Sequence, residues 1–247
     1  MANRGGPLAD SLAEDIESFE RGDIPAGWSR VDSSVNARVY RDGSRSLYFK
    51  IFLPRDRWDK IKSWVRGDRS VRARASTEYL INAGFNSPEL LAWGLFSKMS
   101  GYLVTRDVEA PGVTRWLASA AARDRYSRWQ LLRALGAEIG RLHRAGIVHG
   151  DLRTSNVLVS QQANEFIFYF IDNERNSSHG KVPLSLVRKN LVQLNMLRPE
   201  DLSRSDRMRF ARSYLHEYGR FDPIQSRDLL RRVAARTVER QRGKGWV

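Results

Sequence analysis

The sequence predicts an α+β fold with two lobes, a small β-rich N-terminal lobe and a mainly helical C-terminal lobe. Two β-rich runs flank Asp42-Gly43, a dipeptide typical of hairpin turns, and predict a first pair of strands. Patterns of helical period dominate after residue 110. Ala110-Pro111-Gly112 between these regions has the composition of a linker, so we place the lobe boundary there.

The N-terminal lobe is predicted to span residues 28–109, after an N-terminal extension of residues 1–27 that contains a short helix. Its predicted elements are strands at 37–40 and 47–53, a long helix from about 58 to 83, and strands at 89–94 and 101–108. The run SLYFKIF in the second strand carries one lysine, Lys50, in its middle.

The C-terminal lobe is predicted to span residues 110–247. Its predicted elements are helices at 113–122 and 126–145, strands at 157–160 and 165–172, and helices beyond 183. The last helix, 226–244, places apolar residues at helical spacing among arginines. This pattern suits either a membrane-surface helix or a helix packed on the lobe, and we favour packing.

Composition excludes some classes of protein and points to a kind of partner. The chain has 247 residues, 41% of them hydrophobic, which is ordinary for a folded protein, and it has no cysteine for disulfides or thiolate metal sites. It contains neither a secretory signal pattern nor an apolar run long enough to cross a membrane, so we expect a cytoplasmic protein. The net charge of +14 indicates an anionic partner, which is a nucleic acid, an anionic lipid or a phosphorylated substrate.

The segment His149-Gly150-Asp151-Leu-Arg-Thr-Ser-Asn156 is the strongest functional signal. It is predicted to be a loop between a helix end and a short strand, where rigid flanks can orient side chains. Asp151 and Asn156 have the spacing of the kinase catalytic loop H-R-D-x-x-x-x-N. Phosphoryl transfer requires a carboxylate that orients the attacking hydroxyl and an oxygen ligand for a metal ion. Asp151 is therefore the candidate catalytic base and Asn156 a candidate metal ligand. We interpret His149 as a structural residue that braces the loop.

Asp172 follows the apolar run FIFYFI at the end of a predicted strand. A carboxylate at the tip of an apolar strand is poorly explained by stability, because burial of a charge is unfavourable. A bound Mg²⁺ would explain it, since this ion prefers carboxylate oxygens. Asp172 is thus the second candidate metal ligand.

Lys50 and Glu78 form a candidate pair for nucleotide binding. A strand lysine is usually a surface residue, but Glu78 lies on the following predicted helix. In kinases this helix carries the acid that pairs with the phosphate-binding lysine.

Together these motifs resemble a protein-kinase-like fold over roughly residues 28–220. Within that superfamily the chain is most similar to the lipopolysaccharide core kinases, the Kdo and heptose kinase family. The similarity rests on HGDLRTSN, on FYFIDNER where protein kinases have a D-F-G strand end, and on the basic helical continuation from VRKNLVQLN onward.

The resemblance implies a role for each candidate residue. Lys50 would contact the phosphates of ATP and Glu78 would orient it. Asp151 would be the base, and Asn156 and Asp172 would hold Mg²⁺. The segment 105–108, with Arg106 and Val108, would offer backbone hydrogen bonds to adenine.

Departures from the protein-kinase pattern suggest an acceptor that is not a protein. Gly150 replaces an arginine, A-P-E is absent, no G-x-G-x-x-G precedes Lys50, and the segment from Asp172 to Leu184 is short. We therefore expect an ATP-dependent kinase of a lipopolysaccharide sugar hydroxyl, at the inner face of the inner membrane, with nucleic acid a less favoured partner. Two alternatives stay open. One is a small atypical Ser/Thr kinase like that of the tRNA-modifying KEOPS assembly, and the other is a pseudokinase that acts as a binding module.

Overall fold

The computed structural model describes residues 4–33, 35–53, 69–96, 100–163 and 165–247. The first part of the predicted long helix, 58–68, lies outside these residues. The described residues form two units. The first contains the residues up to Tyr79 and Ser87–Glu109, and the second contains Leu80–Asn86 and Ala110–Val247.

The first unit contains a six-stranded antiparallel sheet with the strand order β1-β5-β6-β4-β3-β2. The strands are β1 Arg4–Gly5, β2 Trp28–Val31, β3 Ala37–Asp42, β4 Leu47–Phe52, β5 Leu90–Leu95 and β6 Gly101–Arg106. Two helices accompany the sheet, α1 Ala13–Arg21 and α2 Arg69–Asn82. The strand β2 was not predicted.

Side chains alternate along β4 and form the core of the first unit on one face. Phe49 is completely buried, and its ring lies 4.3 Å from that of Phe19 and 5.4 Å from that of Tyr102. Ile16 of α1 belongs to the same core. Helix α1, which lies within the predicted N-terminal extension of residues 1–27, buries its apolar face against this sheet.

The second unit contains two short antiparallel ladders, in which β7 pairs with β10 and β8 pairs with β9. Its strands are β7 Ile147–Val148, β8 Val157–Gln162, β9 Glu165–Phe170 and β10 Ser177–Ser178. Its helices are α3 Val113–Leu117, α4 Arg125–Arg144, α5 Leu184–Leu194, α6 Arg204–Tyr218 and α7 Pro223–Arg242. Among the residues that the structure describes, no helix is both long enough and apolar enough to cross a membrane.

Helices α4 and α6 pack closely because α4 carries glycine at the contact. A Cβ on Gly136 would lie 2.3 Å from the carbonyl oxygen of Phe210, so no side chain fits there. The C-terminal helix α7 buries Leu229 and Val233 and leaves its arginines outside, as packing predicts.

Residues 80–86, predicted as part of the N-terminal lobe, belong to the second unit. Leu80 and Phe85 are buried in the core of that unit, and the ring of Phe85 lies 6.2 Å from that of Phe170. The amide of Phe170 donates to the carbonyl oxygen of Asn86 at 2.9 Å. The boundary between the two units therefore falls inside α2, before Leu80, because the side chains of Leu80 and Phe85 are buried in the core of the second unit.

Candidate active site

The loop from His149 to Asn156 lies between β7 and β8 and is held at both ends. Helix α4 brings the chain to β7, and a 3-10 turn, Thr154–Asn156, leads directly into β8. Asn156 is also tied to the far strand of the hairpin, since the amide of Ile171 donates to its carbonyl oxygen at 3.0 Å. The loop therefore has rigid flanks, as its position in the sequence predicted.

The carboxylate of Asp151 is oriented by donors from three places in the chain. Its Oδ1 accepts from Arg153 Nε at 2.9 Å and from Gln193 Nε2 at 3.2 Å. Its Oδ2 accepts from Asn156 Nδ2 at 3.3 Å. The side chain is 28% exposed, so the group is supported on one side and open to solvent on the other.

His149 joins this loop to the end of β9. It is completely buried, its Nε2 lies 3.0 Å from the carbonyl oxygen of Ile171, and its Nδ1 accepts from the amide of Asp151 at 3.2 Å. A carbonyl oxygen can only accept, so Nε2 carries the proton and the ring is neutral. Burial lowers the pKa of His149, which agrees with this neutral form. The geometry is that of a brace between the loop and the residue before Asp172.

Asn156 precedes β8 and Asp172 follows β9, so the two residues lie at the same end of the β8–β9 hairpin. Each side chain carries an oxygen atom of the kind that can bind a metal ion. Asn156 Nδ2 donates to the Asp151 carbonyl oxygen at 2.9 Å, which directs the amide oxygen away from that contact. Asp172 follows Ile171 and has left-handed backbone angles, φ 63° and ψ 42°. A non-glycine residue in this region is uncommon and is often found at functional sites.

This donor set fits Mg²⁺. Proteins usually bind this ion through one or two carboxylates, with substrate phosphates and water as the other ligands. Among the described residues there is no group of three or more His, Cys, Asp or Glu placed to hold a metal ion. One carboxylate and one amide oxygen match the small number of protein ligands that Mg²⁺ takes when phosphates and water supply the others.

The segment after Asp172 folds back against the loop. Its strand β10 pairs with β7, and Asn176 Oδ1 accepts from the amide of Gly150 at 3.2 Å. A Cβ on Gly150 would lie 2.1 Å from the Cβ of Arg175. Glycine is thus required at position 150, where many protein kinases have arginine.

The candidate nucleotide-binding residues lie in the first unit. Lys50 is half-buried on β4, and its Nζ lies 5.0 Å from the ring centre of Phe52. Glu78, 45% exposed, accepts from Arg74 Nε at 2.8 Å. Arg106 ends β6, where its amide donates to the Glu89 carbonyl oxygen, and Val108 is half-buried in the following segment. The roles of these residues stay predictions.

The sequence model of the Lipopolysaccharide kinase (Kdo/WaaP) family matches residues 28–214. The chain belongs to this family. The resemblance found from the motifs is therefore confirmed, and the match extends over part of each unit of the Kdo/WaaP kinase chain.

A solved structure supports the fold of this family member. The structure of WaaP in complex with acyl carrier protein is similar with a TM-score of 0.60 and 20% sequence identity, over 92% of this chain and 96% of the other. The predicted two-lobed, kinase-like α+β fold is confirmed.

Curated relatives of the Kdo/WaaP kinase chain come from the KEOPS complex. The KEOPS complex subunit Bud32 of Pyrococcus abyssi is 51% identical over 151 residues, which are 58% of this chain and 64% of the relative. The EKC/KEOPS complex subunit BUD32 of Coccidioides immitis is 57% identical over 35 residues, which are 14% of this chain and 12% of the relative. The chain thus spans less than two thirds of the length of these relatives.

Gln193 and the buried residues behind it, His143 and Asn190, were not predicted from the sequence. A signal was present in α5, where Asn190 lies among Val187, Leu191 and Leu194 on the buried face. A polar residue in a buried stripe needs hydrogen-bond partners, and those partners lie in other helices.

Proposed function

We propose that this Kdo/WaaP family chain is an ATP-dependent kinase that phosphorylates a sugar hydroxyl of the lipopolysaccharide core. The observation that carries the proposal is the grouping of Asp151, Asn156 and Asp172 around one braced loop. This grouping has the carboxylate and the oxygen ligands that phosphoryl transfer requires.

In the proposed reaction Asp151 orients the acceptor hydroxyl and takes its proton. The hydroxyl oxygen forms a bond to the γ-phosphorus, the bond from that phosphorus to the bridging oxygen breaks, and ADP leaves. Asn156 and Asp172 would hold Mg²⁺, which when bound neutralises charge on the β- and γ-phosphate oxygens.

The nucleotide would be held by the first unit. Lys50 would contact the phosphates, Glu78 would orient Lys50, and backbone groups of Arg106 and Val108 would contact adenine. The ion pair of Glu78 with Arg74 is no obstacle, because an exposed i,i+4 pair contributes only about 0.3–0.5 kcal/mol.

Two features support an anionic acceptor that is not a peptide. Between Asp172 and Leu184 the chain forms a 3-10 turn and the short strand β10, so it has no extended peptide platform there. Two basic groups lie at the loop, Arg153 with 67% of its side chain exposed and Lys189 with Nζ 3.5 Å from the Gly150 carbonyl oxygen. Positive charge here would attract a phosphorylated, membrane-held substrate.

The proposed location is the cytoplasmic face of the inner membrane. The exposed face of α7 carries Arg227, Arg231 and Arg240, which would be attracted to anionic lipid. Sedimentation with anionic vesicles at low and high salt tests this location. Absence of salt-dependent binding would contradict it.

A second candidate is a small protein kinase of the KEOPS type. It is favoured by the 151-residue match to the archaeal Bud32 protein. In that case the basic surface would serve tRNA, with affinity that falls steeply as salt rises.

The test offers radiolabelled ATP and Mg²⁺ to the purified protein with three acceptors in parallel. These are lipopolysaccharide that lacks core phosphate, generic protein substrates, and the partner proteins of tRNA modification. Label in lipopolysaccharide alone, absent with Asp151→Asn, is the expected result. Strong label in protein with none in lipopolysaccharide would overturn the proposal and favour the second candidate.

A further inference from the structure

A chain of side-chain hydrogen bonds runs from helix α6 to the carboxylate of Asp151. Tyr214 Oη lies 2.9 Å from His143 Nδ1, and His143 Nε2 lies 3.1 Å from Asn190 Oδ1. Asn190 Nδ2 donates to Gln193 Oε1 at 3.0 Å, and Gln193 Nε2 donates to Asp151 Oδ1 at 3.2 Å. Four side chains from three helices thus lead to the candidate catalytic base.

The donor and the acceptor of each hydrogen bond follow from two groups that can only accept, the carbonyl oxygen of His149 and the carboxylate of Asp151. Asn190 Nδ2 also donates to the carbonyl oxygen of His149 at 2.8 Å, so Asn190 Oδ1 must face His143. His143 therefore carries its proton on Nε2 and accepts from the hydroxyl of Tyr214 on Nδ1. At the other end the Asp151 carboxylate requires the amide nitrogen of Gln193.

The network is buried behind Gln193. His143, Asn190 and Tyr214 are completely buried, whereas Gln193 is half-buried at the edge. Burial lowers the pKa of His143 to about 4, so the imidazole stays neutral at physiological pH. A buried polar group without a partner is destabilising, so each member restricts the orientation of the next.

We propose that Gln193 is a positioning residue for phosphoryl transfer, which holds the Asp151 carboxylate through Nε2 while Asn190 and His143 hold Gln193. This inference rests on the proposed role of Asp151. Arg153, which shares Oδ1, has a side chain that is 67% exposed, whereas Gln193 is half-buried on the packed helix α5. A fixed donor on a rigid element keeps a catalytic carboxylate in its productive orientation.

Two substitutions of similar size distinguish the positioning of Asp151 by Gln193 from a merely structural role of Gln193. Gln193→Glu keeps the acceptor for Asn190 but replaces the donor to Asp151 with a negative oxygen. Gln193→Met removes both hydrogen bonds and adds no charge. If Gln193 positions Asp151, the glutamate variant should be the slower enzyme. If Gln193 only supports Asn190, the methionine variant should be the slower enzyme.

The experiment measures kcat and the KM for ATP separately, with the acceptor that the wild type phosphorylates. We expect Gln193→Glu to lower kcat by roughly 10- to 100-fold, because it loses the hydrogen bond and also places a second negative charge beside the Asp151 carboxylate, and to change the KM for ATP by no more than about twofold. Gln193→Met should lose less, roughly 3- to 10-fold in kcat. The control is Gln162→Glu, the same change at an exposed position of β8, which should behave as wild type.

An unfolding experiment makes the outcome independent of turnover. In a urea double-mutant cycle of Gln193→Met with Asp151→Ala, contact between the two side chains predicts effects that are not additive. Additive effects, or a Gln193→Glu enzyme with wild-type kcat, would overturn the positioning role while leaving the proposed kinase function in place. A wild type that labels no acceptor would instead overturn the proposed function, and the cycle would still decide whether Gln193 holds Asp151.

Discussion

Asp151 receives hydrogen bonds from the loop itself, through Arg153 and Asn156, and from a different element, through Gln193 of α5. Only the first two contacts are local in sequence. The five-residue spacing of Asp151 and Asn156 sets their contact, because a 3-10 turn brings the amide back to the carboxylate. This part of the candidate site was predictable from residue types and spacing.

Asp151→Asn should preserve the fold and ATP binding but reduce kcat by about 10²- to 10⁴-fold, the usual cost of losing a general base. The amide has the shape of the carboxylate but cannot take the proton of the hydroxyl. Steady-state kinetics and thermal melts with ATP check both parts of this prediction. Asp201→Asn, at an exposed position, is the matched control. Turnover near the wild-type rate would exclude Asp151 as the base.

Lys50→Met and Asp172→Ala should each reduce the stabilisation of the protein by ATP with Mg²⁺. A ligand at 100 times its Kd stabilises the folded state by about 2.7 kcal/mol, and weaker binding gives a smaller rise in Tm. A thermal-shift titration with and without Mg²⁺ measures the effect, and Lys181→Met at an exposed lysine is the control. If no nucleotide shifts the wild type at saturating Mg²⁺, the pseudokinase alternative gains support.

At the scale of elements, helix α6 depends on one acid at its first turn. Asp206 completes a capping box with Ser203 and also accepts from Arg128 of α4, where its side chain is only 6% exposed. Although burial acts to raise its pKa, hydrogen bonds from Ser203 and Arg128 lower the pKa of Asp206. The same carboxylate thus begins α6 and joins it to α4, the helix that leads to the candidate catalytic loop.

Asp206→Asn should destabilise the protein by about 2–3 kcal/mol, because it weakens a cap and leaves Arg128 without its buried acid. Urea unfolding measures the free energy. Asp228→Asn is the control, since Asp228 forms an exposed i,i+4 pair with Arg232 and should cost no more than about 0.5 kcal/mol. Equal losses in the two variants would show that the contact between α4 and α6 contributes little.

At the scale of the whole molecule, two buried histidines make stability depend on pH. Burial lowers the pKa of His143 to about 4, and burial also lowers the pKa of His149. An unfolded chain would protonate both near the ordinary value of about 6.5. Between about pH 6.5 and pH 4 the unfolded state therefore binds more protons at His143, and the free energy of unfolding falls as the pH falls.

By pH 4 the contribution of His143 should have lowered the free energy of unfolding by about 3 kcal/mol. Urea unfolding at pH 7.5, 6 and 5 follows it. His143→Gln should be less stable than wild type at pH 7.5 but should lose less stability on acidification. His216→Gln, an exposed histidine on α6, should keep the wild-type pH dependence. An unchanged slope in His143→Gln would assign the pH dependence to other groups.

The sequence by itself determined the fold class, the order of the main elements and the local part of the candidate site. Hydrophobic period and turn residues are set over a few positions, and Asp151, Asn156 and Asp172 belong to one loop and the hairpin that follows it. Only the tertiary structure decided that α1 packs on the first sheet, that 80–86 join the second unit, and that Gln193 reaches Asp151. These contacts depend on how closely helices approach, as at Gly136, and that distance results from packing of side chains far apart in the chain.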